Sequence, residues 1–493
     1  MAATPHASPP GRKLRLTSKL SYGIGQVAEG IKNNAFNLLL LFYYVQVLGV
    51  PGSWAGGALF IAQAFDAVTD PIAGFVSDGF RSRWGRRHPF MYASALPLSL
   101  CFYLLFVPPA GLSQLSLALW LTVMAVLTRG AMTLYHVPHI ALGAELTEDY
   151  EERSAVVAHR TAFGFIGMLA VVVMVARFFP AAADGSDGKL IAENYGPFAV
   201  LGAVLISVTI LLSALGTHGE IPHLPPPPQA VERFAFRRAF EETLSALRNQ
   251  NFLWLFVGVL MIYVMVGTSQ NLNMFLLAFF WELPQKELSI VLGSFPLGMI
   301  LGAPLTRYLH RRVEKKTALV FGTGWFGFCT VAPPLLRLLD LFPANGTPPL
   351  FGTLLGFGLL QGIGVVQAMV SFGSMMADVI DQHELQTGRR QEGVFFGAIS
   401  FSAKGSSGLG GLIGGVGLDL IRWPRGSEIK SAADVDPQTI VHLGVVYAPA
   451  VALFAFISVA ALMRFSFTRA EHASVLAALH ARRKPSTAAL PGR

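Results

Sequence analysis

Charge is what this sequence has least of. Asp, Glu, Lys and Arg make up 13% of its 493 residues, against about 25% in soluble domains, which argues against a water-soluble globule. Cysteine is nearly absent: Cys101 and Cys329 both lie in apolar runs, so no disulfide framework is read. No nucleophile–base arrangement, metal-ligand cluster or G-x-x-x-x-G-K-[ST] segment occurs, which argues against a membrane-embedded enzyme and against ATP-driven chemistry. The opening "MAATPHASPPGRKLRLTSK" has no apolar core with a cleavage site, so no removable signal peptide is expected. The net charge of +8 calls for no nucleic acid, because the basic residues cluster in short connections, where they set membrane orientation.

What the chain has is oil: 53% hydrophobic residues, with 37 Phe and 50 Gly. A hydrocarbon core needs about 20 mostly apolar residues per helix. Twelve stretches qualify, at roughly 21–48, 53–78, 90–108, 114–144, 155–179, 196–216, 252–278, 288–308, 317–339, 348–377, 392–421 and 441–464. The fold class expected is an all-α polytopic membrane protein of twelve spans. Arg12, Lys13, Arg15 and Lys19 precede span 1, Arg81, Arg83, Arg86 and Arg87 follow span 2, and Arg307, Arg311, Arg312, Lys315 and Lys316 follow span 8. The 1–2 and 3–4 connections have no basic residue, so both termini are expected in the cytoplasm.

The expected organisation is an N-terminal tail (1–20), a six-helix half (21–216), a linker (217–251), a second six-helix half (252–464) and a C-terminal tail (465–493). The linker's "PHLPPPPQAVERFAFRRAFEETLSALRN" reads as a stiff extended piece followed by an interfacial helix. A calmodulin-like or lipid-binding segment is the alternative. The halves echo one another. From "RSRWGRRHP" to "RYLHRRVEKK" is 307 − 81 = 226 positions, and from Asp149 to Asp381 is 381 − 149 = 232. Two parallel repeats place a solute site between the halves, near the midplane.

"AFDAVTDPIAG" in span 2 sets Asp66 and Asp70 one helical turn apart, on one face with Gln63. A charge at bilayer depth costs at least about 2.5–3.5 kcal/mol, so two acids on one face need a reason. Either a proton is shared or a cation sits between them, with Thr69 as a further oxygen. An interhelix ion pair is the simpler reading, but two acids exceed what one salt bridge requires. Span 4 carries a stripe of Arg129, Thr133, His136 and Ile140, beside Pro138. Thr133 can supply oxygen to the cation; His136 hydrogen-bonds either solute or a neighbouring helix. In span 1, Gln26, Gly30, Asn33 and Asn37 form a stripe with Glu29 and Lys32 beside it, and span 7 has Ser269, Gln270, Asn271 and Asn273. Amides suit hydroxyl-rich ligands, and they also join helices. Arg160 in span 5 and Lys404 in the glycine-rich span 11 are lone cations, and Lys404 is read as a partner of the aspartates or a contact to solute. Arg81, Arg83, Arg86, Asp378, Asp381 and Arg389 lie in connections, where ionic latching between the halves is the expected role.

"KLSYGIG", "FDAVTDPIAGFVSD", "RSRWGRRHPF", "HVPHIALGAEL", "ADVIDQHELQTGRRQEG" and "SAKGSS" together resemble the glycoside–pentoside–hexuronide:cation symporters of the major facilitator superfamily. The resemblance covers most of the chain. It implies a sodium, lithium or proton site at Asp66, Asp70 and Thr133, with Thr69 where an asparagine ligand often occurs. Lys404 and Arg160 match the family's helix 11 lysine and helix 5 arginine. The galactoside-binding acids of some members fall on Gly30, with Glu29 adjacent, and on His136. The family's sugar-stacking tryptophan falls on Ile140. The function implied is import of a sugar-like solute coupled to sodium or a proton, with solute contacts at Glu29, Asn33, His136, Arg160, Gln270 and Lys404. No cofactor beyond the ion is implied, and the setting is a bacterial inner membrane, as a monomer. The "HVP" stretch is also similar to sodium-dependent lysophosphatidylcholine symporters of the same fold, which makes a lysolipid the alternative solute. A solute-sensing receptor is a third reading, disfavoured because both aspartates are present.

Overall fold

Residues 13–147, 149–181, 187–225, 247–388, 392–426 and 428–483 are described by a computed structural model. Among them there is no strand. A helix satisfies its own backbone polar groups, which is what a chain crossing hydrocarbon requires. By length and composition, ten helices among the described residues can cross a membrane.

The first apolar stretch is an interrupted helix. α1 (Leu16–Ile24) and α2 (Gln26–Ala35) meet at Gly25, and π-helical turns follow at Phe36–Leu40 and Tyr43–Val47. Gly25 has to be glycine because a Cβ there would strike the Tyr135 hydroxyl and, at 2.6 Å, the Ser213 hydroxyl. Then come α3 (Gly52–Gly79), α4 (His88–Phe106), α5 (Gln114–Glu145), α6 (Tyr150–Phe178) and α7 (Tyr195–His218). α8 (Gln250–Phe275) ends in another π-helical stretch, Leu276–Phe280, as the first apolar stretch does. α9 (Gln285–Arg312), α10 (Lys315–Leu338), α11 (Pro348–Thr387), α12 (Glu392–Leu420), α13 (Pro437–Met463) and a tail helix, α14 (Arg469–Arg483), complete the order. The interfacial helix expected in the linker falls within 226–246, outside the described residues.

Helices α1–α7 pack mainly among themselves, as do α8–α13, and the principal seam between the groups runs along α3 and α12. Small residues make that seam tight: a Cβ on Gly56 would lie 2.7 Å from the Gly411 carbonyl oxygen. At one end of the seam the groups are pinned together. The Trp423 indole N–H donates to Gln46 Oε1 at 2.6 Å, and Phe42 meets Phe275 edge-on with centroids 5.0 Å apart. Gln285 of α9 donates to the Val175 carbonyl of α6 at 2.7 Å.

The opposite end carries the basic connections, and there charges pair within a group. Arg87 is buried and pairs with Asp78 and, at 2.7 Å, with Glu145. Lys19 pairs with Glu152 at 2.7 Å, and Lys315 with Asp378 at 2.6 Å. His472 of the tail helix sits 3.1 Å from Asp381, fastening α14 to the end of α11. Each of these pairs stays on its own side of the seam.

Candidate cation and solute site

Helical spacing delivers the central cluster. Asp66 and Asp70 stand one turn apart on α3, and Arg129 and Thr133 one turn apart on α5, so each helix offers two groups to the other. The close α3–α12 seam brings Lys404 within reach of both acids. Thr133 Oγ1 lies 2.8 Å from Asp66 Oδ1 and 2.8 Å from Asp70 Oδ1. Its single proton serves one carboxylate at a time. Arg129 Nη1 is 3.2 Å from Asp66 Oδ2, and Lys404 Nζ is 3.1 Å from the same oxygen while also pairing with Asp70. Asp66, Arg129 and Thr133 are buried. Unit charges about 4 Å apart attract by about 4 kcal/mol at an effective dielectric near 20, which offsets part of the cost of taking these charges out of water. Thr69 is turned elsewhere: its hydroxyl donates to the Phe65 carbonyl at 3.0 Å.

Beside it lies a second polar cluster. The Asn33 amide donates to Glu29 Oε1 at 2.7 Å, and Gln26 donates to the same carboxylate. His136 Nε2 is 3.7 Å from Glu29 Oε1. Lys32 donates to Asn33 Oδ1 at 2.7 Å. Glu29, Asn33 and His136, expected together from the sequence, are thus gathered. Gly30 serves packing instead, with Gly167 and Gly164 of α6 pressed against it.

Arg160 and Gln270 stand apart from that cluster. Arg160 lies near the Tyr22 phenol. Gln270 lines a cleft between the two helix groups with Asn34, Asn37 and Asn273 at its polar side, facing Phe295 and Phe357. Among the residues expected to latch the halves, Arg86 pairs with Glu145 of its own group at 2.9 Å. Arg81 and Arg83 are exposed, and Arg83 lies over the Trp84 ring. Asp378 and Asp381 are held by Lys315 and His472, and Arg389 lies outside the described residues. These pairs join each half to itself and not to the other. The groups are pinned at the opposite end, which leaves these described charges paired on their own side.

The sequence places Arg129 on the Thr133 face of α5 without assigning it to the ion site; the α3–α5 packing supplies Asp66 as its partner. Residues one turn apart on α5 share a face, and a cation there has to answer an acid.

The pattern of the family described as "MFS/sugar transport protein" matches residues 21–469. A relative from Escherichia coli (strain K12), "Putative glycoside/cation symporter YagG", is 25% identical over 85% of this chain and 86% of its own. The mouse "Sphingosine-1-phosphate transporter MFSD2B" is likewise 25% identical, over 83% of each chain. The crystal structure of the nucleoside transporter NupG superposes with a TM-score of 0.59 at 13% identity, covering 92% of this chain and 100% of that one.

Proposed function

Starting from a chain that belongs to the MFS/sugar transport protein family, we propose that it imports a sugar or glycoside-like solute together with a monovalent cation, by alternating access. It is a multi-pass membrane transporter and not an enzyme. The observation that carries the coupling is the Asp66–Asp70–Thr133–Lys404 cluster. It lies on the seam between two helix groups that have to rock against one another. A charge balance spread over both sides of a moving seam is altered by the motion, which is how an ion bound there biases it. The ion is sodium or a proton, with lithium as a substitute for sodium.

The solute is proposed to sit in the adjoining cleft. Asn37, Gln270 and Asn273 offer neutral donors and acceptors, the groups that read hydroxyls without a fixed charge. Glu29, Asn33 and His136, gathered beside the ion site and outside the cleft lining, are proposed as further solute contacts. The name of the YagG relative supports a glycoside. Twelve spans follow if the interrupted α1–α2 stretch and α12 also cross. The basic connections then face the cytoplasm of a bacterial inner membrane, and the protein acts as a monomer. In that orientation the pinned end is external, and the form described is closed to the outside. A lysophospholipid is the second reading, supported by the MFSD2B likeness and by the Phe295, Phe326 and Phe357 wall of the cleft.

Uptake into proteoliposomes, with a panel of glycosides and lysophospholipids under sodium or proton gradients, tests this. Gradient-driven accumulation of a glycoside, lost in Asp70→Asn, is the expected result. Accumulation of lysophospholipid alone would replace the solute assignment, and indifference to every gradient would end the coupling.

A further inference from the structure

Two acids at the ion site are matched by two fixed cations. Asp66 and Asp70 face Arg129 and Lys404, so the cluster is neutral before any ion arrives. An alkali ion needs carboxylate and hydroxyl oxygens turned toward it. Here Asp66 Oδ2 already faces the Arg129 guanidinium at 3.2 Å and the Lys404 ammonium at 3.1 Å. Asp70 also carries Lys404. The two remaining carboxylate oxygens converge on the Thr133 hydroxyl, 2.8 Å from each, and Thr69 directs its hydroxyl proton at its own helix. Both Oδ2 atoms are thus held by fixed cations, and the two Oδ1 atoms share the one Thr133 proton.

Arg129 is fixed in that place. Its side chain is 8% exposed, and its guanidinium lies 5.1 Å from the centroid of the Phe36 ring, a contact that favours a cation. Its buried Nε has no hydrogen-bond partner, so it binds Asp66 end-on, through one nitrogen. Unlike a lysine, an arginine does not lose its charge to escape burial. Nearby, Glu29 and Lys32 add one further charge of each sign and leave the balance unchanged.

We infer that Arg129 is a tethered cation standing where an alkali coupling ion would bind, so that this transporter takes neither sodium nor lithium at Asp66 and Asp70. The inference rests on the transport reading and narrows its choice of ion. A sodium ion entering this neutral set would bring an uncompensated positive charge beside two fixed ones in a low-dielectric site. Removing Arg129 takes away one of the two fixed charges and leaves Asp66 Oδ2 to Lys404 alone, which opens the charge vacancy an alkali ion needs.

The test is radioactive sodium binding to the purified full-length protein in detergent, with lithium as competitor, alongside solute uptake in proteoliposomes with and without sodium. The native protein and Arg129→Lys are expected to bind no sodium, and native uptake to be the same in sodium and choline buffers. Arg129→Gly is expected to gain saturable sodium binding, at least about tenfold over native or about 1.4 kcal/mol, competed by lithium and abolished by adding Asp70→Asn. Saturable sodium binding by the native protein, lost in Asp70→Asn, would overturn the inference while leaving the transport reading intact. A folded Arg129→Gly protein that stays silent to sodium would overturn it too. If Arg129→Gly does not fold, the native and Arg129→Lys measurements decide. Absence of any solute uptake fails the transport reading instead, since the binding assay needs no solute.

Discussion

Asp419, at the end of α12, accepts the backbone N–H of Gly52 at 2.9 Å, across the seam between the two helix groups. Its other oxygen takes the N–H of Ser53 at 2.7 Å. One carboxylate thus satisfies two of the orphan donors at the start of α3 and favours the positive end of that helix. These bonds exist only while this end is closed. Asp419→Ala therefore acts on the balance between open and closed forms. Bonds to a charged acceptor contribute about 1.5–3 kcal/mol, and partial exposure of this carboxylate places the effect at or below the lower figure. The expected outcome is an increase of roughly tenfold in the rate at which an Asn37→Cys probe in the cleft, with Cys101 and Cys329 replaced, reacts with an impermeant maleimide from the pinned end. An unchanged labelling rate would mean that the seam is held by its glycine packing alone.

Of the four arginines after α3, Arg87 is structural, Arg86 shares its Glu145 partner, and Arg81 and Arg83 are dispensable. Arg87 is 4% exposed and holds Asp78, Glu145 and the Ser77 hydroxyl, tying α3 to α5. Removing one partner of a buried pair costs about 3–5 kcal/mol, and Arg86 still faces Glu145, so Arg87→Ala is expected near the lower figure. Arg81→Ala and Arg83→Ala lie at the surface and should stay within about 0.5 kcal/mol. Thermal unfolding of the purified protein in detergent separates the three. Equal stability losses would remove the distinction.

How much was legible in the sequence depended on whether the signal was local. Asp66, Asp70, Thr133 and Lys404 stood out because a charge or hydroxyl inside an apolar helix is visible without knowing its partner. Long apolar runs gave the helix positions closely: 114–144 was expected and Gln114–Glu145 is helical. Partnership was the hidden part. Arg129 was seen on the Thr133 face, but only the α3–α5 packing reveals that it answers Asp66. The expected latch between Arg86 and the acids after span 10 needs the other end to open, and no single sequence states which form a structure takes. The last turns of α11 run past the expected end at 377 to Thr387. Polar residues there look like a loop until the tail helix supplies His472 and an Arg482 bond to the Leu385 carbonyl at 2.8 Å.

Gln270 separates the cleft from the ion site. It lines the cleft and takes no part in the carboxylate cluster, so Gln270→Leu should weaken solute recognition and spare ion coupling. A lost neutral hydrogen bond contributes about 0.5–1.5 kcal/mol, roughly a two- to twelvefold rise in KM at similar maximal uptake. Concentration dependence of uptake in proteoliposomes reads this directly. A collapse of maximal uptake with KM unchanged would place Gln270 in the moving parts instead.

Lys404 is the residue whose two expected roles the geometry sets apart. Its ammonium touches Asp66 and Asp70 and is not among the residues lining the cleft, which favours charge balance over solute binding. Lys404→Leu leaves two acids facing Arg129 alone, an imbalance of one charge at a buried site. The expected cost follows the buried-pair figure of about 3–5 kcal/mol, discounted toward its lower end because Asp70 is partly exposed. Lys404→Arg keeps the charge on a broader head, so uptake should fall only partly, against near-complete loss for Leu. The decisive comparison is the double variant Lys404→Leu/Asp70→Asn, which removes one charge of each sign. If Lys404 balances the acids, the second change restores much of the stability lost to the first, and the two effects are strongly non-additive in a thermal-unfolding cycle. If Lys404 is a solute ligand instead, the two stability losses simply add and solute affinity falls in Lys404→Leu with or without Asp70→Asn.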